Sequence, residues 1–125
     1  MKKIVKTNQA PAPIGPYNQA VKANGFLFVS GQIPADPKTG EILKASIEEE
    51  TELVMENLKA ILTEAGLSFS HIVKSSIFIK NMDDFARINE VYGSYFTDNF
   101  PARETVEVAR LPKDVNVEIS VIAVE

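Results

Sequence analysis

The apolar and polar positions of the chain change period several times, and each change marks an element. Gly25 to Gly31, GFLFVSG, is a short apolar run rich in aromatic and β-branched residues and bounded by glycines. It predicts a buried strand. The preceding YNQAVKANG alternates weakly and ends in Asn24-Gly25, a pair that tolerates positive φ and predicts a hairpin turn. Residues 32–45 carry Pro34, Pro37 and Gly40 and read as a loop with a tight turn at DPKTG. Ser46 opens a helix, with Glu49 three residues on completing a capping box. Ile47, Leu53, Val54, Leu58, Ile61, Leu62 and Ala65 then form one stripe. Gly66 is placed to end this helix. Its opposite face holds Glu48, Glu49, Glu52, Glu56 and Lys59 and reads as a solvated surface.

His71 to Lys80 predicts a strand, with Val73, Ile77 and Ile79 on one side and Ile72 and Phe78 on the other. Asn81 caps a second helix with Asp83 and Asp84 in its first turn, where the macrodipole favours acids. Its stripe of Phe85, Ile88, Val91, Tyr92, Tyr95 and Phe96 reads as core. After Pro101, a strand is expected at Thr105 to Ala109, a turn at Leu111 to Asp114, and a final strand at Val115 to Val124. The order is β-β-α-β-α-β-β, with room for a further strand at Lys3 to Lys6.

The final strand is apolar on both sides. Val115, Val117, Ile119, Val121 and Ala123 line the face that two helices would cover. The other face reads Asn116, Glu118, Ser120, Ile122, Val124, and its second half is apolar. A face turned to water should be polar throughout. Two helices cover only one face of a sheet, so a second copy of the chain is the simplest cover for the other. A subunit interface is then the natural place for a pocket.

Composition narrows the function. At 125 residues there is room for one domain with its own core, and no linker or repeat divides residues 1–125. A net charge of −4 supplies no long nucleic-acid footprint. No apolar run approaches the roughly 20 residues of a membrane span. The first residues, MKKIVKTNQAPAPIG, lack a signal-peptide core, so a cytoplasmic location is the expectation. There is no cysteine, which removes disulfides and thiolates, and one histidine, His71, which removes a His-rich metal site. His71 reads as a partly exposed turn residue.

The remaining chemistry gathers in FPARETVEVARLPKDVNVEI. Arg103 presents a planar fork that takes a carboxylate bidentately; the commoner alternative is a surface salt bridge to Glu104 or Glu107. Glu118 sits inside an apolar strand, where an ionised group needs a partner or a function; the alternative is a structural ion pair with Arg103 or Arg110. If the two segments pair, a cation and a carboxylate face one pocket. Tyr17 lies in the Pro/Gly-rich PIGPYNQA, which would present its hydroxyl rigidly; otherwise it is a packing aromatic. Ser30-Gly31 ends the buried strand, and glycine there allows close backbone approach or merely a turn. No phosphate-loop or dinucleotide glycine motif is present.

IGPYNQA, SGQIPADPKTG, DFARINEVYGSYF and PARETVEVARLPKDVNVEI, in that order from about Pro11 to Val124, closely resemble the RidA family, the YjgF-like reactive intermediate deaminases. The resemblance implies an α+β, chorismate-mutase-like subunit with one mixed β-sheet and two helices on one face. It implies a homotrimer around a central β-barrel, with three pockets between neighbouring subunits. The implied activity is hydrolysis of 2-iminobutanoate and 2-iminopropanoate to 2-oxo acids and ammonia, with no metal or organic cofactor and no membrane or nucleic-acid partner. Carried over by position, Arg103 binds the substrate carboxylate and Glu118 orients or activates the attacking water. Tyr17, Ser30, Gly31 and Asn89 line the pocket, and the Thr105 backbone N–H assists. Relatives often carry a small residue directly after the arginine and then a cysteine; this chain has Glu104 and Thr105. An extended backbone turns Glu104 away from Arg103; otherwise it competes for the guanidinium. A non-catalytic trimer that binds 2-oxo acids also needs Arg103, whereas only the enzyme needs Glu118. Ribonuclease activity is a third class, against which the acidic charge and the single histidine count.

Overall fold

A computed structural model describes residues 1–125. The strands are β1 (Lys3–Val5), β2 (Ala20–Ala23), β3 (Phe26–Gln32), β4 (Ile72–Ile79), β5 (Ala102–Glu107) and β6 (Val117–Val124). The helices are α1 (Ile47–Glu64) and α2 (Phe85–Gly93), with short 3₁₀ turns at Phe69–His71, Met82–Asp84 and Pro112–Asp114. The six strands form one mixed sheet in the order β1-β2-β3-β6-β4-β5. No helix is long and apolar enough to cross a membrane.

Local chemistry sets most boundaries. Asn24 and Gly25 both take positive φ, 52° and 81°, the requirement of a type I′ hairpin between β2 and β3. The Ser46 hydroxyl accepts from the Glu49 N–H and donates to the Glu49 carboxylate at the start of α1. At its end, Gly66 has φ +78°, and the Gly66 and Leu67 N–H groups close on Thr63 and Leu62 carbonyls in a Schellman motif.

Topology explains why one sheet face is covered and the other bare. β3 and β4 are both antiparallel to β6, and so parallel to each other. β5 is parallel to β4. Parallel neighbours need crossovers, here α1 and α2. Both crossovers step the same way across the sheet, and right-handed crossovers stepping one way put their helices on one face. Under them Leu58, Ile61 and Leu62 pack with Leu27, Ile77, Ile79, Val117 and Ile119, all fully enclosed. Each such side chain contributes roughly 1.5–3 kcal/mol of burial. On the bare face Phe26 and Phe28 are 40% and 42% exposed, and Phe78, Ile122 and Val124 are half-buried.

The structure differs from the sequence reading at four points. The strand expected at Thr105 to Ala109 runs instead from Ala102, so Arg103 lies inside β5. β5 and β6 do not pair, because β4 lies between them. In β4, Ile72 faces the core at 5% exposure while Val73 is 42% exposed. The reason is a bulge: Ile72 and Lys74 face Ala123 and Ile122 in turn, so Val73 is an extra residue and the alternation slips by one. The final strand starts at Val117, two residues later than expected, but its two-sided pattern holds.

Candidate functional site

Arg103 and Glu118 do not share a face. Arg103 is the register partner of Ser75, whose side chain is enclosed under the helices. Glu118 partners Phe78, three residues further along β4, on the bare side. One chain therefore presents two separate half-sites.

The first is built on α2. Phe85, Asn89 and Tyr92 fall at i, i+4 and i+7, which places them on one helix face. Arg103 lies on that face: its Cζ is 5.7 Å from the Phe85 ring centre and 5.2 Å from that of Tyr92, within cation–π range. Its Nη1 donates to Asn89 Oδ1 at 2.7 Å. Tyr92 is locked in turn, its hydroxyl donating to the buried Ser75 Oγ at 2.8 Å, and burial pushes that phenol's pKa up. Of the three arginines, Arg87 is paired with Glu48 and Arg110 with Asp114, whereas Arg103 has no carboxylate partner. Glu104 turns away, ion-paired to Lys74 at 3.1 Å and bonded to the Ser76 hydroxyl. Glu107 accepts from the Met82 N–H instead. The surface-salt-bridge alternative for Arg103 is thereby removed. Thr105 lies two residues on along β5, on the Arg103 side of the strand.

The second half-site surrounds Glu118. β3 bulges here: Val29 faces Val121 and Gln32 faces Ile119, so Ser30 and Gly31 together oppose one residue of β6. The bulge leaves a gap that the Glu118 carboxylate fills. A methyl group on Gly31 would lie 2.8 Å from Glu118 Cδ and 3.0 Å from Cγ, so glycine is there for close approach. Glu118 is half-buried, and desolvation alone pushes its pKa up. No structural ion pair holds it, since Arg110 is committed to Asp114. Beside it an open cavity of about 350 Å³ is lined by Ile14, Tyr17, Ser30, Gly31, Ile33, Pro112 and Glu118.

Tyr17 is fixed by its own loop. Its hydroxyl accepts from the Ile14 N–H at 3.2 Å, leaving the phenolic proton free to donate. The loop is tied down by buried Gln19, which accepts from the Thr7 N–H at 2.7 Å and donates to Thr7 and Pro11 carbonyls at 3.0 and 2.9 Å. Ser30 lines the cavity, but its hydroxyl is already donated to the Asn18 carbonyl at 2.6 Å. His71 sits in the 3₁₀ turn before β4, its Nδ1 accepting from the Ser68 N–H at 3.0 Å, as a turn histidine should.

The expected residues thus divide: Arg103, Asn89 and Thr105 on one side of the sheet, Tyr17, Ser30, Gly31 and Glu118 on the other. Sequence reasoning read Phe85 and Tyr92 as core; Tyr92 is indeed core, whereas Phe85 is exposed, and the contact of both rings with Arg103 was missed. Their spacing about Asn89 was the available signal. It also missed the Ile14, Ile33 and Pro112 walls.

A small α+β domain with an uncommitted guanidinium on one sheet face and a desolvated carboxylate on the other has the equipment of a small-anion site. The chain belongs to the RidA, or YjgF-like, family: residues 7–125 match the family described as Endoribonuclease L-PSP. A RutC family protein of Pyrococcus horikoshii is 56% identical over 123 residues, covering 98% of each chain. The crystal structure of E. coli TdcF with bound serine superposes with a TM-score of 0.93 at 49% identity, covering 98% of both chains. The E. coli YjgF gene product gives 0.93 at 48% identity, again over 98% of both.

Proposed function

We propose that this chain is a cytoplasmic hydrolase of reactive 2-imino acids, 2-iminobutanoate and 2-iminopropanoate, acting at sites where neighbouring copies of a homotrimer meet. The Arg103 half-site of one copy would face the Glu118 half-site of the next. The observation that carries this is the pair of uncommitted groups: a guanidinium without a carboxylate and a carboxylate without a cation, each on a rigid element. Covering the apolar bare face with other copies would bring such halves together. Serine bound to TdcF supports a ligand of this class, a small amino-acid carboxylate.

The chemistry follows from the groups. Arg103 holds the substrate carboxylate bidentately, steadied by Asn89 and its two aromatic rings. Glu118 accepts a proton from a water as the water oxygen bonds to C2 of the protonated imine, and the C=N double bond becomes single. The resulting amino alcohol collapses: the proton on Glu118 passes to the amine nitrogen, the C–N bond breaks with its electrons leaving on nitrogen as the C–O bond becomes double, and the hydroxyl proton returns to Glu118 and from there to the released ammonia. The products are a 2-oxo acid and ammonium. An iminium carbon is already electrophilic, so placing the water and one base suffices. The raised pKa of Glu118 makes it a stronger base than an exposed carboxylate.

The test generates iminobutanoate with a threonine dehydratase and measures 2-oxobutanoate release. Glu118→Gln should lower kcat by about 10²–10⁴-fold. Arg103→Ala should lower kcat/KM by roughly 10–100-fold, the worth of one charge-assisted contact. Co-expressing the two variants should restore part of the activity, because some interfaces then hold two intact halves. A Glu118→Gln protein with full acceleration would refute the role given to Glu118 in activating water. Mixed oligomers as inactive as either parent would refute the shared site.

A further inference from the structure

We propose that the Thr105 side-chain hydroxyl is a second hydrogen-bond donor to the carboxylate held by Arg103. The observation is an imbalance in the chain's polar groups. Thr105 Oγ1 is the single buried side-chain nitrogen or oxygen in the chain without a hydrogen-bond partner. The other enclosed polar side chains are served: Asn57 donates to the Ala35 carbonyl at 3.0 Å, Thr51 to that of Ile47 at 2.7 Å, and Ser75 is bonded to Tyr92. A hydroxyl sealed without a partner costs about 1–3 kcal/mol, and valine would fill the same space at a strand position that favours it.

Its position gives the cost a use. Thr105 projects on the same side of β5 as Arg103, one pleat repeat along, roughly 7 Å by strand geometry. Residue 105 as a whole is half-exposed although its oxygen is sealed. The hydroxyl is therefore the inner branch of the side chain. A turn of about 120° about χ1 carries the hydroxyl to the outward place the methyl occupied, on the side of the guanidinium, and the methyl to the place of the Cβ hydrogen. A carboxylate arriving on Arg103 would then find a second donor, and the orphan hydroxyl would gain the bond it lacks. β5 is the edge of the sheet, so no further strand stands in the way.

This inference rests on the proposed Arg103 anion site. It is tested by calorimetric titration of 2-oxobutanoate into the oligomer, together with thermal unfolding, for wild type, Thr105→Val, Thr105→Ser and Arg103→Ala. Thr105→Val should raise the unfolding temperature and weaken binding about 10–100-fold, the worth of one hydrogen bond to a charged group. Thr105→Ser should bind within about twofold of wild type. Thr105→Val binding as tightly as wild type, while Arg103→Ala does not bind, overturns this inference and leaves the anion site standing. Arg103→Ala binding as tightly as wild type overturns both. Equal losses in Thr105→Val and Thr105→Ser would make the residue a packing element and also overturn the proposal.

Discussion

Gly31→Ala is the smallest change that should separate the position of Glu118 from its presence. The backbone at residue 31 is outside the left-handed region, so alanine is conformationally acceptable there. Its lower unfolded-state entropy would stabilise by about 0.4–1 kcal/mol. The added methyl, however, would sit 2.8 Å from Glu118 Cδ and 3.0 Å from Cγ. Real methyl contacts need roughly 3.5–4 Å, so the glutamate must swing by on the order of 1 Å. That displacement costs about 0.5–1.5 kcal/mol if it is met by an off-rotamer side chain. The two contributions nearly cancel, and the unfolding temperature should hardly move.

Activity should respond differently. A water-activating carboxylate displaced by about 1 Å loses on the order of 10²-fold in rate. The assay is imine hydrolysis by Gly31→Ala in wild-type and Glu118→Gln backgrounds. The expected result is a large fall in the first and almost none in the second, because a residue acting only through Glu118 has nothing to disturb once that carboxylate is gone. A Gly31→Ala protein with undiminished kcat would refute the reasoning. So would the same fractional loss in both backgrounds, which would assign Gly31 an effect of its own.

Two further outcomes follow from buried polar groups. Burial raises the Glu118 pKa above its unfolded value, so between the two values the native state binds the extra proton and stability falls as pH rises. Glu118→Gln removes that penalty: it should be more stable than wild type at pH 7 and indistinguishable below about pH 4, the range of a free glutamate. Thermal unfolding from pH 4 to 8 checks this, and a constant difference across the range would contradict it. Tyr92→Phe keeps a ring beneath Arg103 but leaves the enclosed Ser75 hydroxyl without its 2.8 Å partner. It should cost about 1–3 kcal/mol in stability with 2-oxobutanoate affinity unchanged, read by denaturant unfolding and titration respectively.

What the sequence disclosed was what local chemistry controls. Asn24-Gly25, Ser46 with Glu49, and Gly66 each fix a turn or cap through their own backbone preferences, and each sits where expected. The two-sided apolar pattern of β6 was equally plain, since a strand's alternation is written residue by residue. The failures were nonlocal. Bulges at Ser30-Gly31 and Val73 break the alternation without altering composition. β5 is an edge strand whose residues are all exposed or half-exposed, so it carries no core pattern from which to read its start. That β6 inserts between β3 and β4 depends on long-range pairing, so whether the Arg103 and Glu118 segments pair could only be posed as a condition, and it is not met. Phe85 was misassigned, and the second role of the core residue Tyr92 missed, because an aromatic helix stripe has the same spacing whether it packs on a core or beneath a guanidinium.

The separation of those two residues is itself an argument about how activity would be controlled. β4 stands between their strands and the sheet between their side chains, so no modest loop movement unites them within a single chain. On the proposed reading, the bare face with its exposed Phe26 and Phe28 would be covered by the same association that completes the site. Covering it would also withdraw water from the Glu118 carboxylate, which raises its pKa, while the guanidinium brought opposite it acts in the other direction. Assembly would then supply the missing half-site, so that dilution below the dissociation constant of the oligomer should abolish turnover more steeply than it abolishes 2-oxobutanoate binding to the Arg103 half alone.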